Sequence, residues 1–413
     1  MNSRPHEVVY VLGNMDLIGQ LASEAWWVRN LYRPPEYQVT IVTLPLSFRP
    51  MTNTAVYEFC MRGIRLVHST THGSVPFSSY YESKIQTVQQ ADRDVTYLRV
   101  NGMKLKNEFV KRFREGQELL YFQLSPEDHQ KGRQLRRAMG IPDGAPIVTL
   151  HVREAATKPK KTYHNYRDAD IANYLPTIQY LLSRGYTVVR LGDPSLKRLP
   201  PMGPRLIDAP FHPAYNHWVD LYFVACSQFY VGVPSGPYSV ANIFNIPVVL
   251  TNATITGDDW GKIGDLYIPK KFYSHRLGRM LSYQEIACSP LINFYKAQEF
   301  EQAGIELIEN SPEEILGAVV EMDQRICQTY PADEQAISRG MNRKFKAIQR
   351  QAHSIRLMAR EEPFNFMMFW SGAMLGCHFA CTNSYFLAAP QPTRVPDSVN
   401  RSETVQTEGI SIV

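Results

Sequence analysis

Three segments indicate the fold class: PIVTLHVRE (146–154), YTVVRLGD (186–193) and FYVGVPSG (229–236). Each segment is a short apolar run that ends in a charged or small-residue turn, and helical stretches lie between the runs. This alternation predicts βαβ units in a parallel sheet. In open α/β sheets a ligand lies beyond the carboxyl ends of the strands. We therefore expect a binding site at these turns, whose two arginines and helix start suit a phosphorylated ligand.

The N-terminal part shows the same alternation and is predicted to form a second Rossmann-like domain. Strands are expected at 8–12, 37–44 and 64–67, with helices at 20–32 and 53–62. Residues 76–120 are less periodic, and we expect helices there that cover the first sheet. Further strands are expected near 205–207, 247–250 and 304–307. Helices are expected over 168–184, 220–227, 238–244, 311–329 and 334–361, and Ser125-Pro126 and Ser311-Pro312 are typical helix starts.

The predicted fold class is α/β, with two Rossmann-like domains that face a cleft, the architecture called GT-B among sugar transferases. A turn-rich segment, 141–146, is the predicted linker. We expect an acceptor domain at 1–140 and a donor domain at 141–330. Residues 331–390 are predicted to form helices that pack back on the N-terminal domain, and 391–413 a loose tail.

Composition indicates an ordinary globular protein: 44% of the 413 residues are hydrophobic, 20% are charged and the net charge is +5. Because a net charge of +5 is small for this length, and nucleic-acid binders more often carry a concentrated basic stripe, we do not expect nucleic-acid binding. The tight cluster Lys158-Pro159-Lys160-Lys161 is either a solvated loop or a segment that attracts an anion. Six cysteines without a CxxC pair fit a reducing compartment. With no secretory signal and no long apolar run, we expect a cytoplasmic protein, with peripheral attachment to the inner membrane as a further option.

Arg153 and Arg190 are the first candidate ligand-binding residues. A guanidinium at a strand end needs a partner, and its planar fork matches two phosphate oxygens. A structural salt bridge between Arg153 and Glu154 or Asp193 is the competing interpretation. Gly192 would let a ligand approach the backbone. Asp193 would accept hydrogen bonds from a ribose or cap its own turn.

Ser235 and Gly236 follow a strand and precede a helix, whose free backbone N–H groups can bind phosphate. Such a turn is also an ordinary helix start. Glu154, His151 and Asp16 are candidate general bases, because burial and neighbouring charges can tune either type of side chain towards neutral pH. A solvated turn acid is the competing interpretation for Asp16.

No metal site is expected. Asp168-Ala169-Asp170 has the DxD spacing of metal–nucleotide sites, but it follows a polar loop and opens a helix, so loop and cap chemistry is favoured. Gly257-Asp258-Asp259 lacks a third ligand. The cluster FNFMMFW (364–370) is interpreted as core packing, or as an apolar surface for a lipid-linked or aromatic acceptor.

Several motifs in fixed order resemble those of a family of bacterial glycosyltransferases. They are HVRE (151–154), YRDADIANY (166–174), RLGD (190–193) and GVPSG (232–236). The family usually reads HVRD, YRNADI, RxGD and Gly-x-x-Ser-Gly, and it is distantly similar to GT-B fucosyltransferase-like enzymes, in which the arginine of an HxR motif binds the nucleotide diphosphate. The resemblance covers roughly residues 8–330. Glu154 and Asp168 depart from the usual Asp and Asn, and the chain also departs after about residue 360.

The resemblance implies metal-independent transfer of a hexosyl or deoxyhexosyl group from a GDP- or UDP-linked donor, without a cofactor. The acceptor would be a glycan, a lipid-linked molecule or a secondary metabolite. Arg153 would hold the diphosphate, and Gly19 and Gln20 match a glycine loop in the cleft, where His is common in place of Gln20. The donor site would be lined by Arg190, Gly192, Asp193, Ser235, Gly236, Tyr166 and Asp168.

Two other functions compete with that of a glycosyltransferase. A non-catalytic nucleotide- or sugar-binding protein on the same fold would keep Arg153 and Ser235-Gly236 but lack a base. An NAD-type oxidoreductase is disfavoured, because the loop after the first strand, GNMDLIG (13–19), is not GxGxxG.

Overall fold

The computed structural model describes residues 6–12, 17–45, 53–68, 84–89, 94–99, 102–154, 162–254, 261–294, 296–358 and 372–390. The described residues form two Rossmann-like α/β domains, so the predicted fold class is confirmed.

The N-terminal domain is built on a sheet with strand order β3-β2-β1-β5-β4, parallel except for β4, which runs antiparallel to β5. The described elements of this part of the chain are β1 (His6–Val11), α1 (Ile18–Leu31), β2 (Tyr37–Thr43), α2 (Thr54–Met61), β3 (Arg65–His68), β4 (Lys84–Gln89), β5 (Asp94–Arg99), α3 (Gly102–Arg114) and α4 (Pro126–Ala138).

The predicted βαβαβ opening is confirmed by β1 to β3. The expectation of helices within 76–120 was wrong for 84–89 and 94–99, which form strands. Two strands, β4 and β5, pair as a hairpin and extend the sheet beyond β1. Their sequences, KIQTVQ and DVTYLR, alternate polar and β-branched or aromatic residues, which is the period-two pattern of a strand with one covered face. Among the residues of 76–120 that the structure describes, α3 (102–114) is the helix that we expected.

The C-terminal domain is built on a fully parallel sheet with strand order β15-β11-β10-β9-β6-β7-β8, and beside it lies a small antiparallel sheet, β13-β12-β14. The described elements are β6 (Ile147–His151), α5 (Leu175–Ser183), β7 (Thr187–Arg190), β8 (Leu206–Asp208), α6 (Trp218–Ala225), β9 (Phe229–Gly232), α7 (Gly236–Ile243), β10 (Val248–Ala253), β11 (Leu266–Pro269), β12 (Lys271–Ser274), β13 (Arg279–Met280), α8 (Tyr283–Ala287), α9 (Ala297–Gln302), β14 (Ile305–Ile308), α10 (Pro312–Ile326), α11 (Ala332–Met358), β15 (Met374–Leu375) and α12 (Cys377–Thr382).

Five predicted strands of the large sheet, β6 to β10, are confirmed. Every residue of β6, β7, β9 and β10 is buried, because helices cover both faces of a parallel sheet. The strand expected at 304–307 exists as β14 but belongs to the small sheet. Strands β11 and β15 were not predicted.

The described parts of 331–390, which are 331–358 and 372–390, pack on the C-terminal domain, which corrects the prediction that this segment returns to the N-terminal domain. Strand β15 pairs with β11 at the edge of the large sheet. Helix α11 contacts α8, and α12 contacts α10. The short strand β15 anchors this segment by backbone hydrogen bonds that a helical pattern alone does not reveal.

Both predicted helix starts are confirmed as capping boxes. Ser125 and Asp128 exchange side-chain and backbone hydrogen bonds at the start of α4. Ser311 and Glu314 do the same at the start of α10. Each box satisfies two N–H groups that a helix start otherwise leaves without a partner.

The helices that follow β1 and β9 meet at the domain junction. Helix α1 begins shortly after β1, helix α7 begins shortly after β9, and the two helices contact each other extensively. A Cβ atom on Gly19 would lie 2.9 Å from the Cα of Gly236, and one on Gly236 would lie 2.1 Å from Cγ2 of Ile18. Glycine at both positions therefore permits the close approach of the two helix starts.

A second contact between the domains involves the starts of α2 and α6. The Nδ2 atom of Asn53 donates to the carbonyl of His217 at 3.1 Å and to Oδ2 of Asp220 at 2.9 Å. The backbone N–H of Thr54 donates to Nδ1 of His217 at 3.2 Å. These polar contacts complement the glycine contact and fix how the two domains meet.

No helix in the described ranges combines the length and the apolar character needed to cross a membrane. All six cysteines lie in described residues, and all are free thiols.

Replacing Gly132 with alanine is expected to destabilise the protein by about 1–3 kcal/mol. In most helix interiors, replacing glycine with alanine stabilises the helix by up to about 1 kcal/mol. Here, however, a Cβ atom would lie 1.9 Å from Cε2 of Tyr222, which is buried in α6. Urea denaturation followed by circular dichroism measures the change.

Gly340→Ala is the matched control, because Gly340 lies inside α11 and a Cβ there meets no atom within 4 Å. This variant should be as stable as the parent or more stable. Equal effects of the two substitutions would show that packing against Tyr222 does not restrict position 132.

Candidate functional site

The candidate site lies at the carboxyl edge of the large sheet, where the strand order reverses. From β6 the chain continues to β7 and β8 on one side, and then from β9 to β10 and β11 on the other. Such a reversal opens a crevice between the two central strands. Here these are β6 and β9, with His151 paired to Gly232. The turns 152–154 and 233–236 follow these strands and border the crevice.

Arg153 forms an ion pair at this edge with Asp168. Its Nε donates to Oδ1 of Asp168 at 2.6 Å, and the two side chains are 12% and 14% exposed. Burial and the nearby Arg167 lower the pKa of Arg153, while burial raises the pKa of Asp168 against the opposing effect of Arg153. Arg153 does form a structural salt bridge, as the competing interpretation of the sequence proposed. Its partner, however, is Asp168 and not Glu154 or Asp193.

Lys270 adds a second buried cation that sequence reasoning missed. Its Nζ donates to the carbonyl of Asp168 at 2.6 Å, and the residue is 4% exposed. Burial lowers the pKa of Lys270, with Glu309 and Asp168 acting in the opposite direction. The signal was present in the sequence, since Lys270 directly follows the apolar run LYIP of β11, at the same edge as Arg153.

Arg190 is fully buried inside the domain and makes three hydrogen bonds to protein groups. Its guanidinium donates to the carbonyl of Lys197 at 2.5 Å, to Oδ1 of Asp208 at 3.1 Å and to Oε2 of Glu154 at 3.4 Å. The same oxygen of Glu154 accepts from the backbone N–H of Lys197 at 2.9 Å. These contacts give Arg190 and Glu154 a structural role, which corrects the expectations that Arg190 lines the ligand site and that Glu154 acts as a base.

Gly192 and Asp193 form a tight turn after β7. Gly192 has φ +143°, and a Cβ there would lie 2.2 Å from Cδ1 of Leu196, so glycine is required for both conformation and space. The exposed carboxylate of Asp193 accepts from the backbone N–H of Ser195 at 2.8 Å and also bonds the Ser195 hydroxyl. Asp193 therefore caps its own turn, which is one of the two roles expected from the sequence; the other was to bind a ribose.

His151 is a neutral, oriented imidazole at the end of β6. Its Nδ1 lies 3.1 Å from the carbonyl oxygen of Leu191. Because a carbonyl only accepts, Nδ1 carries the proton and Nε2 keeps a lone pair. Burial lowers the pKa of His151 to about 4, so the ring is neutral at pH 7.

Two helix starts without side-chain caps converge beside the crevice. The N-cap residues are Leu17 for α1 and Ser235 for α7, and neither side chain bonds the first turn of its helix. The partial positive charges of both helix starts therefore lie at the contact between Gly19 and Gly236. Pro237 lacks an N–H, so Gly236 and Tyr238 supply the first backbone donors of α7.

Gln20 and Tyr166 have different surroundings. Oε1 of Gln20, in the first turn of α1, is buried and has no hydrogen-bond partner among the described residues. Tyr166 is 7% exposed and packs against Phe300, with ring centroids 5.6 Å apart. Gln20 therefore offers an acceptor beside the domain junction, whereas Tyr166 contributes packing beneath the turn that carries Asp168.

The DxD segment is used for capping and pairing. Oδ1 of Asp170 accepts from the backbone N–H of Ala172 at 3.0 Å and caps a short 3₁₀ helix, Ile171–Tyr174. The α-helix expected over 168–184 therefore begins only at Leu175, as α5. The other aspartate of the segment, Asp168, pairs with Arg153.

Asp220 is a buried carboxyl at the domain junction that the sequence analysis did not select. Its Oδ2 accepts from Asn53 and from the Tyr215 hydroxyl, while Oδ1 has no hydrogen-bond partner among the described residues. Burial raises its pKa to about 7, and Asp193 acts in the same direction. The Tyr215 hydroxyl also lies 3.2 Å from the carbonyl oxygen of Gly192, so this cluster borders the candidate site.

Several predicted features lie outside the described residues: Asp16, the lysine cluster 158–161, the segment 257–259, the aromatic cluster 364–370 and the tail 391–413. Within the described part of the chain, no group of three or more His, Cys, Asp or Glu residues could hold a metal ion. Metal independence stays a prediction.

No family model matches the sequence, and no curated protein matches it. Among solved structures, the chain is similar to a glycosyl transferase family 9 protein from Veillonella parvula, with 12% identity and a TM-score of 0.35 over 59% of this chain and 79% of that one. It is also similar to E. coli ADP-heptose LPS heptosyltransferase II, with 12% identity and a TM-score of 0.31 over 59% and 84%.

A third similar structure is the iron-containing dodecameric glycosyltransferase TibC from enterotoxigenic E. coli, with 15% identity and a TM-score of 0.29 over 60% of this chain and 58% of that one. These likenesses are too partial to carry an argument about function. The two-domain fold rests on the strand order and register described above, and the motif resemblance stays a prediction.

Proposed function

We propose that the protein is a glycosyltransferase that binds the diphosphate of a nucleotide-sugar donor in the crevice between β6 and β9 and transfers the sugar to an acceptor hydroxyl. One observation carries the proposal: Arg153 and the uncapped start of α7 border this crevice from its two sides. A guanidinium and the backbone N–H groups at a helix start are complementary to a diphosphate.

The positive groups at this edge can stabilise the departing diphosphate without a metal ion. When the bond to the sugar breaks, negative charge grows on the diphosphate, and groups that are already oriented stabilise it. Arg153 and Lys270 supply two partly or fully buried cations, and Gly236 and Tyr238 supply backbone donors. Gly192 and Asp193 would line the rest of the donor site, beside Ser235. We propose a GDP- or UDP-linked donor.

Two of the three candidate bases, His151 and Asp16, remain available to accept the proton of the acceptor hydroxyl. His151 is neutral at pH 7 and keeps a lone pair on Nε2. Asp16 immediately precedes Leu17, the N-cap residue of α1, whose first turn lies against Gly236. We propose that one of these two residues accepts the proton and that the acceptor enters from the N-terminal domain, where Gln20 offers a hydrogen-bond acceptor.

Arg153→Ala is expected to weaken nucleoside-diphosphate binding by about 10–100-fold, the usual contribution of a hydrogen bond to a charged group. Isothermal titration calorimetry with GDP, UDP, ADP and dTDP measures the loss, and circular dichroism checks the fold. Because this change leaves the Asp168 carboxylate buried without its cation, Arg153→Ala/Asp168→Asn serves as a second, charge-balanced variant.

Asp168→Asn alone is the matched control, since it breaks the same ion pair but keeps the guanidinium. It should bind the nucleotide at least as tightly as the parent. Unchanged affinity in Arg153→Ala, or an equal loss in Asp168→Asn, would reject a direct contact between Arg153 and the diphosphate.

Turnover separates the enzyme from a non-catalytic binding protein on the same fold. We expect slow hydrolysis of the matching nucleotide sugar by the purified protein, and faster turnover when an acceptor is present. Tight nucleotide binding with neither hydrolysis nor transfer would favour the non-catalytic alternative.

A further inference from the structure

A basic groove lies on helix α11, in a part of the fold that the proposed function does not use. It is a cavity of about 620 Å³. Its described lining residues are Arg325, Gln335, Ser338, Arg339, Asn342, Arg343, Lys346, Arg350 and Met374. Five are cationic and none is acidic. This is a strong local excess of positive side chains in a protein whose net charge is only +5.

The stripe of cations follows from the sequence of α11. Arg339, Arg343, Lys346 and Arg350 are spaced by four, three and four residues, which places them on one face of an α-helix. Over these residues the helix rises about 16 Å. A stripe of this length exceeds a single phosphate and matches an anion that carries several charged groups.

Polar groups at the floor of the groove already have hydrogen-bond partners within the protein. Asn342 exchanges hydrogen bonds with the backbone of Leu375 in β15, through Oδ1 at 2.7 Å and Nδ2 at 3.2 Å. Arg325 is held by Glu321 at 2.7 Å and by the Ser338 hydroxyl at 3.1 Å. The charge of Arg325 is thus neutralised, and its role is to shape the groove.

The remaining cations are available to a ligand in different degrees. Within the described part of the chain, the exposed Arg339, Arg343 and Arg350 form no ion pair with a carboxylate. Lys346 lies deeper: its Nζ donates to the carbonyl of Ala373 at 2.6 Å, and burial lowers its pKa to about 8. An anion bound here would favour the protonated form of Lys346.

We propose that this groove is a binding site for a polyanion with several phosphate groups, recognised by the exposed arginine forks of α11. Guanidinium groups bind phosphate in a bidentate manner, and Lys346 adds a charge at the floor. The phosphates belong to a soluble phosphoester or to lipid headgroups. The inference depends on the groove alone and is independent of the proposed glycosyl transfer.

The test uses the full chain and two probes, tripolyphosphate and phosphatidylcholine vesicles that contain phosphatidylglycerol. The groove variant is Arg339→Gln/Arg343→Gln/Arg350→Gln. A control with the same change in charge is Lys344→Gln/Arg133→Gln/Arg137→Gln, at exposed positions outside the groove. Because these six side chains are exposed, both variants are expected to fold, which circular dichroism checks.

We expect the parent protein to bind at least one probe, the groove variant to bind it at least about tenfold more weakly, and the control to remain within about twofold of the parent. Binding of tripolyphosphate indicates a soluble ligand, and binding of vesicles alone indicates a lipid headgroup. Failure of the parent to bind either probe, or equal loss in both variants, overturns the proposal. Repeating the titration with Arg153→Ala distinguishes this groove from the nucleotide site, since that variant should retain groove binding.

Discussion

Replacing Arg190 with methionine is expected to lower the free energy of unfolding by about 3–5 kcal/mol, the usual cost of removing one partner from a buried ion pair. The guanidinium is fully buried and donates to Glu154, Asp208 and the carbonyl of Lys197. Without it, the carboxylate of Glu154, itself 6% exposed, loses its cation in a region of low polarity. Urea denaturation of parent and variant measures the difference.

Arg137→Met is the control for the loss of an arginine as such. Its ion pair with Asp143 is 3.2 Å long, but the arginine side chain is 70% exposed, so the change should cost less than about 1 kcal/mol. Adding Glu154→Gln to Arg190→Met should restore part of the stability, because the neutral amide still accepts from Lys197 and the buried negative charge at position 154 is removed. Equal costs at positions 190 and 137 would contradict the structural role of Arg190.

A second large effect is expected in the pH dependence of stability, through Asp220. Burial raises its pKa in the folded protein to about 7, whereas an unfolded chain titrates near about 4. Between these values the folded state keeps a proton that the unfolded state releases. The contribution of Asp220 is therefore fully present below about pH 4 and is lost as the pH rises to about 7. A difference of about three units between the folded and unfolded pKa values corresponds to a change of about 4 kcal/mol in the free energy of unfolding.

Asp220→Asn should remove this dependence, since the amide oxygen can still accept from Asn53 and Tyr215 but the side chain no longer titrates. The difference in unfolding free energy between parent and variant should therefore change steadily from pH 4 to pH 8. Asn53→Ala removes a donor that lowers the pKa of Asp220, so it should move the midpoint to higher pH. Parallel pH profiles for the parent and Asp220→Asn would refute the effect.

Much of the fold could be predicted from local sequence. The apolar runs of β6 to β10 predicted a buried parallel sheet, because a strand covered on both faces needs a continuous apolar sequence. The helix starts at Ser125 and Ser311 were predictable because a capping box depends only on residues within one turn. The hairpin of β4 and β5 was missed, since its polar alternation resembles surface helix sequence until the strands pair.

The sequence predicted that the turns after β6 and β9 lie together, but it did not predict which side chains contact one another there. The turns after β6 and β9 come together as expected, because parallel strands end at the same edge of the sheet. Lys270 and Asp220 were missed, since their importance comes from burial beside residues that are distant in sequence. For the same reason the partner of Arg153 was assigned incorrectly before the position of Asp168 was known.

Local sequence was sufficient to predict the buried strands β6 to β10, the capping boxes at Ser125 and Ser311, and the turns that carry the candidate ligand-binding groups. Tertiary contacts, in contrast, set which arginine is enclosed within the domain and which lies at the edge of the sheet. Arg153 lies two residues beyond β6, whereas Arg190 is the last residue of β7 and is enclosed by Glu154 and Asp208. Both arginines follow similar apolar runs, so local pattern cannot distinguish them. Burial and partners depend on contacts between segments that are far apart in the chain.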